Sequence, residues 1–269
     1  MISQGTALSW TIVLLFSSLS IQKTHRFLEE AVEYMLRKVF PVILLALVML
    51  PQTSPAPLRA LELGPAGLVP VSIPTGASPV TPITQADLDG NGTLESLVLT
   101  GGHLSILSGS GIVWQSPPAW QIAQAAISDL DRDGKPEVTL LLWRPFRPWP
   151  ADQWLPNGGR ISGFHDAKGQ SCHIILIGWR GGGYRELWAG SAMVDPITSF
   201  AVADLEGKGT QVLVALESRY TAPRSAPART LKVWEWNGFG FSVVSYINGT
   251  FSELTLVQAD NGHILVLVP

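Results

Sequence analysis

A single cysteine, Cys172, stands in 269 residues. No intrachain disulfide can form, and a structural zinc site built on several thiolates is excluded. Charge is scarce as well: Asp, Glu, Lys and Arg make up 14% of the chain, and the net charge is −3. That balance excludes a basic nucleic-acid binder whose affinity rests on neutralising phosphates. With 46% hydrophobic residues, the chain has the means to bury a core and is not of the disordered class. Catalytic signatures are missing too: there is no Gly-x-Ser-x-Gly elbow, no phosphate loop and no His-Glu-x-x-His. His103 and His263 each follow a glycine at the start of a strand-like run. His165 and Asp166 are adjacent, so in a strand they would point to opposite faces.

No apolar run reaches the ~20 residues of a comfortable membrane-spanning helix. Two shorter runs lie near the start, Leu8 to Ile21 and Val39 to Leu50. The second has the anatomy of a secretory signal: Arg37 and Lys38 precede it, and a polar, Pro-rich stretch follows. Residues 1–60 are therefore expected to be an export segment, with the signal over 35–60 and Met35 as a candidate initiator. A membrane tether is the competing expectation. Residues 1–60 hold five Lys and Arg against three Glu, whereas 61–269 hold 13 basic and 18 acidic residues. The acidic part, 61–269, is the part expected outside the cytoplasm, secreted or anchored.

What is abundant is punctuation. The 26 Gly and 20 Pro are spread along the chain, which favours many short elements over long helices. A repeat runs through them. The segment from Asp87 to Glu95, DLDGNGTLE, aligns without gaps with Asp129 to Glu137, DLDRDGKPE, at an offset of 42 residues. A third copy starts at Asp204 and a shortened fourth at Asp260. Each copy lies between a short apolar run and a stretch rich in Val, Leu and Ile. Between copies, the Gly-rich stretch from Ile177 to Tyr184 resembles that from Trp234 to Phe241, and both suit a strand–hairpin–strand. The unit is strand, Asp-rich turn, strand, connection, strand, hairpin, strand, which is the size of a propeller blade.

These residues resemble the FG-GAP/VCBS repeats of exported bacterial proteins and the propellers of integrin α-subunits. The resemblance covers about residues 80–269. It implies an all-β fold: a small or incomplete β-propeller of about four four-stranded blades, often with Ca²⁺ in the Asp-rich loops. Leu68 to Ile73 is expected to complete the last sheet beside Ile264 to Val268. An incomplete propeller would close by forming a homodimer.

The loops have the chemistry for two Ca²⁺ sites. Ca²⁺ takes six to eight oxygens. Asp87, Asp89 and Asn91 offer side-chain oxygens at alternate positions, Thr93 its carbonyl, and Glu95 closes the set. Asp129, Asp131, Asp133, the Lys135 carbonyl and Glu137 form the second set. An EF-hand is rejected: the flanks are strand-like, and position 12 is Val98 or Leu140. In the third copy Lys208 replaces the central Asn or Asp and Val212 the closing acid, so a metal-free turn is expected there. The fourth is expected to be a plain turn.

The stretch Trp143 to Trp154 is dense in aromatics, arginine and proline. Trp143, Arg144, Phe146, Arg147, Trp149 and Trp154 are the expected ligand or partner loop, since Trp and Arg dominate interface energetics. The competing expectation is an insertion folded back on the core. Residues 221–230 read as a mobile hairpin tip. Trp114, Trp179, Trp188, Trp234 and Trp236 fall in strand patterns and are expected to pack between blades. Cys172 is expected to be a buried thiol.

The function expected is a non-enzymatic, extracytoplasmic, Ca²⁺-stabilised binding or adhesion module with a protein or glycan ligand. The alternatives are an exported polysaccharide-active enzyme or its accessory domain, with Asp152 and Asp166 as a candidate acid pair, and a purely structural domain.

Overall fold

The structure is a computed structural model and describes residues 32–35, 37, 57–147 and 163–269. The chain divides into two units, Met1–Pro55 and Ala56–Pro269. In the first, residues 32–34 are helical, and Glu33 and Arg37 pair at 2.9 Å one turn apart. The apolar runs of the expected signal lie outside the described residues.

The second unit is all-β and antiparallel, in four sheets. It opens with β1 (Arg59–Gly64), β2 (Gly67–Val71) and the short β3 (Ser78–Pro79). The first complete sheet is β4 (Gln85–Ala86), β5 (Glu95–Thr100), β6 (His103–Ser108) and β7 (Gly111–Gln115). The second is β8 (Gln121–Ser128), β9 (Glu137–Pro145), β10 (Gln170–Trp179) and β11 (Tyr184–Ala189). The third is β12 (Ile197–Ala203), β13 (Val212–Glu217), β14 (Ala228–Trp236) and β15 (Phe241–Phe251). The fourth joins β16 (Thr255–Gln258) and β17 (Ile264–Val268) to the opening strands, in the order β2-β1-β17-β16-β3.

Period-two alternation explains the stacking. In β9, Val138, Leu140 and Leu142 pack towards the first sheet, while Leu141 and Trp143 pack towards the third. Its partner β10 divides the same way, Ile175 and Ile177 to one side and Cys172, Ile174 and Leu176 to the other. In β13, Val212, Val214 and Leu216 meet the fourth sheet, and Leu213 and Ala215 the second. A strand covered on both faces needs apolar residues at every position, which is why these strands read as unbroken Leu/Ile/Val runs. The first sheet differs. Leu104 and Ile106 are buried towards the second sheet, but on the opposite face Val98 is 43% and Ile112 57% exposed.

The arrangement is propeller-like. The segment 80–83 leading into β4, with β8, β12 and β16, lines one cavity of about 440 Å³. One side chain ties two of these strands together. The Gln124 amide donates to the Phe200 carbonyl at 2.6 Å and accepts from the Phe200 N–H at 3.0 Å.

Closure uses both ends of the unit, but not the expected strand. Beside β17 runs β1, with Arg59 opposite Val268 and Leu61 opposite Val266. Gly67–Val71 pairs outside β1. The reason is burial: Ala60 and Leu61 are both enclosed, whereas only Leu68 is enclosed in β2. The β domain therefore includes Arg59 and Ala60, ahead of the boundary expected at 60/61.

Candidate metal centre

The Asp-rich segments occupy one topological position, the connection from the first to the second strand of a sheet: β4–β5, β8–β9 and β12–β13. The turn Asp260–Gly262 joins β16 to β17 and so falls in the same place. It is tight, with the Gly262 N–H donating to the Ala259 carbonyl and Ala259 to that of His263.

In the first loop, Asp87, Asp89 and Glu95 bring carboxylate oxygens within 4.8 Å of one another. Glu95 opens β5 fully buried; it accepts the Leu88 N–H at 2.8 Å and the Ser108 hydroxyl at 3.0 Å. Asp87 Oδ2 accepts the Gly92 N–H, and Asp89 accepts from the Asn91 N–H and side-chain amide. Asn91 Oδ1 takes the Thr93 N–H. The loop is thus a chain of Asx turns that face carboxylates inward.

The second loop repeats the design with Asp129, Asp131 and Glu137, again within 4.8 Å. Glu137 Oε1 accepts the Leu130 N–H and the Ser128 hydroxyl, both at 2.8 Å. Asp133 Oδ1 accepts the Lys135 N–H. Arg132 stands where the first loop has Gly90, and both have left-handed backbone, φ 62° and 77°. A side chain is disfavoured there; the Arg132 guanidinium reaches Glu235 on β14 at 2.7 Å.

Of the ten residues expected at the two sites, six carboxylates converge. Asn91 and Asp133 are turn acceptors outside the two clusters, while Thr93 and Lys135 supply turn N–H groups. The electrostatics of the clusters are unbalanced. Burial, reinforced by the charges of Asp131 and Asp129, pushes the Glu137 carboxyl up to about 8 against the hydrogen bonds from Leu130 and Ser128. Burial and the neighbouring Asp133 and Asp129 also raise Asp131. Asp87 Oδ1, Asp129 Oδ1 and Glu137 Oε2 are buried with no hydrogen-bond partner among the described residues. Unpaired carboxylate oxygens at matching positions of two clusters, Asp87 Oδ1 and Asp129 Oδ1, fit a hard divalent cation, which would supply the missing positive charge.

The third loop supplies part of its own positive charge. Lys208 Nζ pairs with Glu206 at 2.8 Å, and Asp204 accepts the N–H groups of Lys208 and Gly209. Its Gln211 reaches the neighbouring loop and accepts the Asp129 N–H at 2.8 Å.

Sequence reasoning missed Tyr184. It opens β11 in the second sheet, yet its buried hydroxyl lies by the acids of the first loop. Burial first, then the charges of Glu95, Asp89 and Asp87, raise its pKa. The two loops also share a cleft of about 630 Å³, walled on the other side by Trp179 and Arg180.

The expected ligand loop is placed differently. Trp143 belongs to β9 and is buried between the second and third sheets, because the apolar run of β9 continues through it. Arg144, next to last in the strand, is half-buried and lies 6.0 Å from the Trp120 ring. Phe146 packs on His165 with ring centroids 5.1 Å apart, and Arg147 is exposed. Trp149 and Trp154 lie outside the described residues, as does Asp152. Asp166 is no free acid. Burial acts to raise its pKa, but the N–H groups of Gln170 and Lys168 and the Arg224 guanidinium outweigh it and hold it low. The tip at 221–230 is docked through that same Arg224. Cys172 is fully buried, and burial pushes its thiol up to about 12.

No protein-family model and no curated protein sequence matches this chain.

Proposed function

We propose that the protein is a non-enzymatic, Ca²⁺-stabilised binding module of the FG-GAP/VCBS propeller type that works outside the cytoplasm. The observation that carries this reading is the pair of equivalent carboxylate clusters, each holding at least one buried oxygen with no hydrogen-bond partner among the described residues. Asp87, Asp89 and Glu95 would hold one ion, and Asp129, Asp131 and Glu137 the other. The ions would cancel like-charge repulsion and cross-link the first two strands of each sheet.

A binding role follows from how the fold divides its labour. Stacked sheets take care of stability, and the connections are free to carry recognition. The cleft beside the two loops, with Trp179 and Arg180, offers an aromatic and a cationic contact on that surface, suited to a protein or glycan partner. Export is supported by the apolar segment with its basic start and by the excess of acid in 61–269.

The deciding experiment is calorimetric titration of the full-length chain with Ca²⁺, with melting followed in parallel. Two ions bound per chain and a raised melting temperature are expected. Absence of binding would leave the loops as turn chemistry and overturn the calcium reading.

A further inference from the structure

Away from the cavity that the inner strands share, the four sheets end in β7, β11, β15 and β2. The outer edge of a sheet is a row of backbone N–H and C=O groups open to another strand, and proteins blunt such edges. Three of the four are blunted here. β7 has five residues and starts at a glycine. β11 carries Arg185 and Glu186 side by side. β2 also has five residues, with Pro70 next to last, and proline gives a ladder no donor.

β15 is neither short, charged nor interrupted by proline. It runs for 11 residues, FSVVSYINGTF, the longest strand among the described residues. From Trp236 to Ser252 there is no charge and no proline, and Phe, Val, Tyr, Ile and Thr all favour strands. Val243, Val244 and Tyr246 are exposed, Tyr246 at 62%. Among the described residues β15 pairs with β14 alone. β2 touches it through a side chain, the Leu68 N–H donating to Ser245 Oγ at 2.8 Å, and adds no rung to its ladder. Register shifts do not set β15 apart, since they occur beside β7 and β11 as well, and Ser245 to Asn248 stays in step with β14.

We propose that β15 is the strand through which two copies of this chain pair, antiparallel about a two-fold axis, joining their four-stranded third sheets into one continuous sheet. An antiparallel strand that meets itself is self-complementary, so the contact closes at two copies. Charge favours a second copy as the occupant. Residues 61–269 hold 18 acidic against 13 basic residues, so two copies repel over much of their surface, and β15 is a neutral segment where they can approach. A charged partner strand would find no opposite charge on β15. Val, Ile and Tyr facing one another across strands add to the pairing. This is not the dimer an incomplete ring would form, because the contact lies at the rim and not on an open sheet face. It goes beyond the binding-module reading and does not depend on calcium.

The test is sedimentation velocity and light scattering on the full-length chain, in chelator and across a wide range of concentration. A mass that rises to twice the monomer and holds there is expected. Val243→Lys and Tyr246→Lys each place a charge on the exposed edge and should raise the dissociation constant about tenfold or more. Ile112→Lys puts the same charge on β7 and should leave the dimer intact. Amide hydrogen exchange locates the contact: residues 241–251 should exchange more slowly as concentration rises, while β7, β11 and β2 stay unchanged. Should a lysine variant melt early, the exchange pattern of the wild type decides. A monomer at every concentration, a mass that grows past the dimer, a dimer indifferent to both lysines, or protection elsewhere overturns the proposal. So does slow exchange of β15 in the monomer, which would put another segment of the same chain on that edge.

Discussion

The Arg224 guanidinium lies 3.7 Å from the centroid of the Trp143 ring, joining the β13–β14 connection to a strand of the neighbouring sheet. The same guanidinium pairs with Asp166 at 2.6 Å and donates to Gln121 Oε1 at 3.2 Å. Tyr220, from the same connection, meets the Trp143 edge at 5.9 Å and donates to the Met193 carbonyl. An insertion that reads as a free tip is held at both of these residues.

Arg224→Ala should therefore cost about 1–2 kcal/mol, because it removes a cation–π contact together with a charged hydrogen bond. Urea denaturation of the full chain measures it. The effect should depend on pH with a definite sign. The Asp166 pKa is depressed in the folded state, so its contribution is complete above the ordinary carboxylate range and lost as pH falls through the folded value. The gap between wild type and Arg224→Ala should shrink on acidification. A gap that is flat or widens would remove Asp166 from the account.

How much of this was legible in the sequence follows from the range of each interaction. The acid loops could be read because their chemistry is local: carboxylates at alternate positions, a glycine, and a closing Glu. The Pro-rich run after Trp143 reads as loop, whereas in the fold β9 extends through Pro145. β1 was hidden in a Pro-rich tail, and only pairing with β17, some 200 residues away, makes it a strand. Tyr184 with the first loop and Arg224 with Trp143 are contacts between separate sheets, which no local pattern announces.

Chelation should expose the cost of the clustered acids. In the metal-free protein Glu137 titrates near 8, well above the ordinary Glu value of 4.5. Between those values the folded state holds a proton that the unfolded state has released, so stability should fall as pH rises from about 4.5 to 8. With Ca²⁺ bound the carboxylate is the favoured form and the slope should vanish. Melting curves from pH 5 to 8, in chelator and in excess Ca²⁺, make the comparison, with Glu137→Gln flattening the chelated series. Identical slopes in both buffers would count against metal at this loop.

The two hydrogen bonds between Gln124 and Phe200 are the direct link between two inner strands. Gln124→Ala leaves a part-buried N–H and C=O of Phe200 without those partners. A loss of roughly 1–3 kcal/mol is expected, the cost of stranding buried backbone groups. Gln124→Glu should lose nearly as much, since a carboxylate accepts but cannot donate to the carbonyl. Chemical denaturation of the three proteins gives the order; a fully stable Gln124→Glu would show that the donated bond contributes little.

The first sheet, with its open face, should respond differently from the second and third, which are covered on both. Leu141 is fully buried between the second and third sheets, while Ile112 is more than half exposed on the first. Leu141→Ala should lose about 2–5 kcal/mol. Ile112→Thr keeps a β-branched side chain at an exposed position and should stay within about 0.5 kcal/mol of wild type. Equal costs for the two would mean that the outer face of the first sheet is covered in solution.

Closure by β1 makes the start of the β domain critical. Ala60 and Leu61 are buried, and among the described residues β1 is the strand paired with the edge of β17 opposite β16. A chain beginning at residue 57 retains all of β1, whereas one beginning at 61 loses Arg59, Ala60 and two of the three register pairs with β17. The first should melt like the full chain. The second should melt lower, because Val268 and Leu267 lose the backbone partners that hold the last strand. A chain beginning at 66 loses the strand entirely and presents the bare edge of β17. That edge is an invitation to pair with another copy, so this variant should self-associate in light scattering. If the chain beginning at 61 melts with the full chain, the seam between the two ends carries no stability, and β16 and β17 suffice to hold the fourth sheet.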